Sequence, residues 1–163
     1  MSMQFPKKKT LILIRGIPGS GKSSLAKYLS SSFEASHHEA DQFFEGPKGY
    51  NFDASFLALA HEYCQAQTRL AMNLELPVVI VANTFSRQWE WQTYEAYAEL
   101  KGYNLIIIET SYPGKSVHDV PSYTVANMLA RWEKVDEAAY VYIPWDYKNP
   151  FESEKTLCQL LLK

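Results

Sequence analysis

The chain has 163 residues, 47% of them hydrophobic and 21% charged, with a formal net charge of −2 at pH 7. That length fits a single domain spanning residues 1–163 and leaves no room for a second catalytic one, while the balanced composition excludes a disordered or low-complexity chain. The slight negative charge gives no general attraction to phosphate polymers, although Lys7, Lys8 and Lys9 form a small basic cluster beside the first apolar run.

The run from Thr10 to Arg15 is apolar and β-branched without helical spacing, which predicts a strand buried on both faces. It leads directly into Gly16, and Leu25, Ala26, Tyr28, Leu29 and Phe33 then recur at helical intervals from about Lys22 onward. His37-His38-Glu39-Ala40 predicts a short second strand ending at Asp41, followed by a loop containing Gly46, Pro47 and Gly49. Asp53 is placed to cap a long helix in which Phe56, Leu57, Leu59, Ala60, Tyr63, Cys64, Leu70 and Leu74 share one broad face as far as Glu75.

Val78 to Ala82 predicts a third strand, ending at Asn83-Thr84. Ser86 opens a helix with Trp89, Tyr94, Tyr97 and Leu100, Gly102 stops it, and Tyr103 to Ile108 gives a fourth strand. Thr110 to Asp119 has no apolar period and reads as a loop before a helix opened by Pro121. Tyr140 to Ile143 predicts a fifth strand, and Glu152 to Leu162 a closing helix. Strands alternating with helices imply an α/β fold with a parallel sheet of about five strands, helices on both faces and ligands at the strands' carboxyl ends.

Gly16-Ile17-Pro18-Gly19-Ser20-Gly21-Lys22-Ser23 matches the phosphate-loop pattern G-x-x-x-x-G-K-[ST], with the strand before and the helix after that its mechanism needs. Glycines let successive N–H groups turn inward, the helix start adds positive potential, Lys22 reaches the outer phosphates, and the Ser23 hydroxyl is a magnesium ligand. ATP with Mg2+ is therefore the expected ligand, held by Gly16 to Ser23 together with Ser24. No N-K-x-D segment for guanine occurs, and no apolar strand ends in the acidic pair common to hydrolytic motors. An acid after the second strand favours a kinase.

Cys64 and Cys158 have no partner at metal-ligand spacing and read as reduced, packed thiols. No apolar run is long enough for a signal peptide or membrane span, which gives the expectation of a cytoplasmic chain with no membrane partner. His37 and His38 are adjacent, so on a strand they face opposite ways and make a poor metal pair. His61 and His118 read as structural. The aromatic run Phe43, Phe44, Tyr50 and Phe52 follows Asp41, where rings either build core or stack a base.

Several segments resemble the P-loop kinases grouped with polynucleotide 5′-kinases and their small stand-alone relatives. They are the loop Gly16 to Ser23 with Ser24, Ala40-Asp41-Gln42-Phe43-Phe44, Tyr50-Asn51-Phe52-Asp53 with Ala60-His61, Asn83-Thr84, and Val117-His118-Asp119-Val120-Pro121 with Met128 and Arg131. The resemblance implies transfer of the ATP γ-phosphoryl group to a hydroxyl, with Asp41 as general base and a short lid over the reacting group. The position matching the lid arginine is Lys115, a point charge in place of a planar fork. Ala82 stands where some relatives carry an acid, which leaves Ser23, Asp41 and water around the magnesium ion.

Lys22, Asp41 and Lys115 are thus the expected catalytic residues, and a hydroxyl-bearing acceptor is the second partner. A polynucleotide or nucleoside 5′-hydroxyl, a small metabolite, or no acceptor at all, as in an ATP-binding regulatory module, remain open at this stage. The sequence names no protein partner.

Overall fold

The computed structural model describes residues 7–112 and 119–163. In chain order its elements are the strand Thr10–Arg15 (β1), the helix Lys22–Phe33 (α1), the strands Ser36–His38 (β2), Glu45–Gly46 (β3) and Gly49–Tyr50 (β4), the helix Leu57–Asn73 (α2), Val78–Asn83 (β5), Gln92–Lys101 (α3), Asn104–Glu109 (β6), Ser122–Ala130 (α4), Val141–Pro144 (β7) and Pro150–Leu161 (α5). Short 3-10 turns occupy Ala40–Phe44, Ala54–Phe56 and Gln88–Glu90.

Five strands form one sheet in the order β2-β5-β1-β6-β7, with every pairing parallel. All six residues of β1, and all six of β5, are buried. Because side chains alternate along a strand, each central strand feeds both faces of the sheet. Leu11, Leu13, Val79, Val81 and Ile107 face a core shared with Ala60, Cys64, Met72, Tyr94 and Ala98 of α2 and α3. Ile12, Ile14, Ile80, Ile106 and Ile108 face the other core, closed by Leu25, Ala26, Leu29 and Phe33 of α1 and by Leu157 and Leu161 of α5. Each large side chain removed from water in these layers contributes about 1.5–3 kcal/mol.

Register sets where the site lies. Arg15 is level with Asn83 on one side and with Glu109 on the other. The three central strands therefore end together, and Gly16, Thr84 and Thr110 emerge side by side at the sheet's carboxyl edge. The Gly16 N–H donates to Thr84 O at 3.3 Å and the Thr110 N–H to Arg15 O at 2.9 Å. The chain leaves β1 towards β2 on one flank while β6 lies on the other, which makes this edge a topological switch point.

Several boundaries differ from the sequence reading. β2 ends at His38, so the residue at its carboxyl end is Glu39, and Asp41 lies inside the 3-10 turn that follows. The turn starts there because Asn83 Oδ1 accepts the Ala40 N–H at 2.9 Å and draws the chain off the sheet edge. Asp53 caps a 3-10 turn through the Ser55 N–H, one turn ahead of α2. On α2 the buried ladder is Ala60, Cys64, Thr68, Ala71 and Met72, whereas Phe56, Leu57, Leu59, Leu70 and Leu74 are exposed. Small residues face the sheet because they allow the helix to approach closely; the larger apolar residues fall outside that stripe.

The helix expected from Ser86 begins as a 3-10 turn and becomes α3 only at Gln92, leaving Trp89 and Leu100 exposed. The small antiparallel ribbon of β3 and β4 was not anticipated. Among the described residues, Cys64 and Cys158 form no disulfide. Among the described residues, no helix is long and apolar enough to cross a membrane.

Candidate active site

The turn out of β1 is a tight backbone loop. Gly19 and Gly21 both have positive φ, 81° and 90°. A Cβ on Gly21 would come within 2.5 Å of the Tyr147 hydroxyl, so both conformation and space demand glycine there. At Gly16 a Cβ would run into the side chains of Ser20 and Thr110, which hydrogen-bond to each other at 2.7 Å. That buried pair joins the loop to the start of the segment after β6.

Lys22 opens α1 and folds back across the loop, its Nζ donating to Ile17 O at 3.1 Å. Burial pulls its ammonium down to about 8, while Glu39 and then Asp41 act in the opposite direction. Both carboxylates therefore lie near enough to Lys22 to act on its charge. Ser23 Oγ donates to Glu39 Oε2 at 3.0 Å, and the other oxygen of Glu39 meets His37 Nε2 at 2.8 Å. Asp41 is reached by the Tyr50 hydroxyl at 3.4 Å. Burial foremost, and then Asp41, pushes that phenol up to about 12, so it remains a donor at neutral pH.

The structure thus brings Gly16 to Ser23 together with Asp41 at one edge of the sheet. Ser24 lies one residue further along α1 and is exposed. Lys115 and His118, expected in the lid, lie outside the described residues. Glu39 was not singled out from the sequence as a site residue, yet it holds the hydroxyl that the phosphate-loop pattern assigns to magnesium. Its spacing of two residues before Asp41 was the available signal, hidden because the strand was read as running on to Asp41.

Beneath the loop, Arg15 is fully buried. Its Nε and Nη2 donate to Phe85 O at 2.9 and 2.8 Å, and its Nη1 pairs with Glu109 Oε1 at 2.6 Å. The guanidinium lies 4.0 Å from the Trp132 ring centroid and 5.1 Å from that of Trp91. Burial lowers its pKa from the usual range, and Glu109 opposes that shift. One cation therefore ties the last residue of β1 to the segment after β5, to β6 and to Trp132 in the segment after α4.

A parallel five-stranded sheet wrapped by helices, with its glycine loop between β1 and α1, is the P-loop kinase fold. Residues 11–133 match the family model described as "AAA domain", and the chain belongs to that family. Human NEDD4-binding protein 2 is 28% identical over an alignment of 147 residues that covers 80% of this chain; the chain spans only 8% of that relative's length. Kti12 from Chaetomium thermophilum, solved in complex with ADP-AlF3, is similar with a TM-score of 0.64 and 11% identity, over 94% of this chain and 100% of that one. A gluconokinase from Sinorhizobium meliloti 1021 is similar with a TM-score of 0.63 and 16% identity, over 97% of this chain and 95% of that one. The resemblance read from the sequence holds at the level of the P-loop kinase-like class.

Proposed function

We propose that residues 1–163 work as one P-loop kinase-like unit that transfers the γ-phosphoryl group of ATP to a hydroxyl, the preferred acceptor being a nucleic-acid or nucleoside 5′-hydroxyl. The observation that carries this reading is the convergence of Lys22 with Glu39 and Asp41 at the mouth of the phosphate loop. A phosphate loop alone serves any nucleotide-binding protein; an acid positioned across from it suits a hydroxyl acceptor.

The donor set also fits magnesium. Ser23 and Asp41 offer hard oxygen atoms, and among the described residues no cluster of three or more His, Cys, Asp or Glu side chains forms a self-sufficient cage. Magnesium suits such a site, because it binds through one or two protein oxygens, water and the nucleotide's own phosphates. When bound, it would neutralise charge on the β- and γ-phosphates.

In the reaction, Asp41 accepts the proton of the acceptor hydroxyl as its oxygen forms a bond to the γ-phosphorus. The bond from that phosphorus to the β-γ bridging oxygen breaks, and ADP leaves with the bond's electron pair. Lys22 offsets charge on the β- and γ-oxygens, while the N–H groups from Gly19 to Ser23 cradle them. By the resemblance read from the sequence, Lys115 would supply a further cation to the transferred group.

The choice of acceptor is supported by the rings next to Asp41. Phe43 and Phe44 meet edge to face at 5.3 Å, Phe52 lies 5.0 Å from Phe44, and Phe56 lies 6.4 Å from Phe43. Phe52 and Phe56 remain 50% and 47% exposed, which leaves ring surface for a base to stack on. A polyol would gain little from that surface.

Incubation with γ-labelled ATP and a panel of 5′-hydroxyl RNA, DNA, nucleosides and sugars tests the reading. Label on the 5′-hydroxyl acceptors supports it. Label confined to sugars would make the chain a small-metabolite kinase, and tight MgATP binding with no transfer to any acceptor would leave a regulatory nucleotide-binding module.

A further inference from the structure

The carbonyl of Ser20 receives hydrogen bonds from two separate segments. The Tyr112 N–H, just beyond β6, donates to it at 3.1 Å. The Tyr147 hydroxyl, just beyond β7, donates to it at 3.2 Å. The two rings pack against each other with centroids 5.2 Å apart, and the Tyr147 hydroxyl lies in the space that a side chain on Gly21 would enter.

A trans peptide unit holds its C=O and the following N–H in opposite directions, and the described residues contain no cis bond. Drawing Ser20 O outward to the two tyrosine donors therefore turns the Gly21 N–H the other way, towards the inside of the loop. We infer that Tyr147, assisted by the Tyr112 backbone, is a positioning residue that presets the Gly21 N–H for phosphate. This rests on the phosphate-binding reading of the loop proposed above.

Burial pushes the Tyr147 phenol up to about 12, so it keeps its proton and its donor role throughout the neutral range. Rotating a peptide plane at the moment of binding would add an ordering cost to phosphate recognition; a fixed plane removes it. The clamp is also selective in what it fixes. Ser20 is otherwise anchored through its own N–H to Ile17 O at 3.1 Å and its hydroxyl to Thr110, neither of which determines where its carbonyl points.

Tyr147→Phe removes the hydroxyl donor and keeps the ring, so the packing against Tyr112 survives. Calorimetric titration with ADP in magnesium buffer, and separately with adenosine, should show ADP affinity reduced about five- to tenfold, as expected for one net hydrogen bond, with adenosine affinity unchanged. The amide resonance of Gly21 in the nucleotide-free protein should move, while amides in the second half of α1 and the urea midpoint stay put. Wild-type ADP affinity with an unmoved Gly21 resonance would overturn the inference, as would equal losses for ADP and adenosine. Absence of ADP binding by the wild-type chain would instead contradict the phosphate-binding reading, and the Gly21 resonance would still report whether Tyr147 orients that peptide.

Discussion

Arg15 shows how one residue can hold a site it does not enter. Its guanidinium is buried between Trp91 and Trp132 and satisfies Phe85 O, Ser86 O and Glu109 together. Replacing it with Met keeps the bulk but takes both guanidinium bonds from Phe85 O and one each from Ser86 O, which keeps the Glu133 N–H, and from Glu109, which keeps the Tyr142 hydroxyl. Arg15→Met should lower stability by about 3–5 kcal/mol in urea unfolding, the range for breaking a buried charged network; a loss under about 1 kcal/mol would mean that water replaces the guanidinium. The exposed rings beside Asp41 give a functional counterpart. Phe52→Ala should raise KM for a 5′-hydroxyl nucleic-acid acceptor by about fivefold, the low end of base-stacking effects, and leave KM for ATP unchanged. Because Phe52 is 50% exposed, the fold should tolerate the change.

At the level of elements, the phosphate loop and the central strands were legible in the sequence because each carries its own local signal. Thr10 to Arg15 has no polar face, and the glycines at 19 and 21 take the positive φ that the motif requires. α2 was legible in position but not in orientation, since Leu57, Leu59 and Leu70 share its helical period and only the sheet decides which stripe is covered. Leu70→Ser should therefore change the urea midpoint by less than about 0.5 kcal/mol equivalent, whereas Ala60→Leu, at a fully buried position, should cost about 1–3 kcal/mol through overpacking. Glu39 was missed for a related reason: β2 pairs on one side only, and Asn83 of the neighbouring strand ends it early. His38, on that same short strand, gives it a pH dependence. Burial, aided by His37, lowers its pKa from 6.5 to about 4. The unfolded chain then binds the proton more readily, so stability is full above about pH 6.5 and declines as pH falls towards about 4. Discounted for partial exposure, the loss is on the order of 1–2 kcal/mol. Urea midpoints near pH 7 and near pH 5 should diverge for the wild-type chain and converge for His38→Gln.

Across the whole molecule, the level ends of β5, β1 and β6 gather segments distant in sequence into one cleft, and the division of labour within it follows from position. In the proposed reading the loop after β1 grips phosphate and the turn after β2 supplies the acids, while the segments after β6 and β7, which bond to Ser20 O, brace the loop's peptide plane. The glycine loop was legible as a self-contained local motif, and Asp41 with Phe43, Phe44, Tyr50 and Phe52 from their order along the chain, whereas the place of Glu39 and the contacts among these rings and acids come only with the packed turn. The most direct test of that division is a paired measurement on Asp41→Asn: MgATP affinity by calorimetry, and phosphoryl transfer from γ-labelled ATP to a 5′-hydroxyl oligonucleotide. Because Asn keeps a hard oxygen for magnesium but cannot accept the proton, the expected result is affinity within about twofold of wild type with transfer reduced at least about a hundredfold, the lower range for loss of a general base. Transfer at the wild-type rate by the Asn variant would contradict it and remove Asp41 from the chemistry.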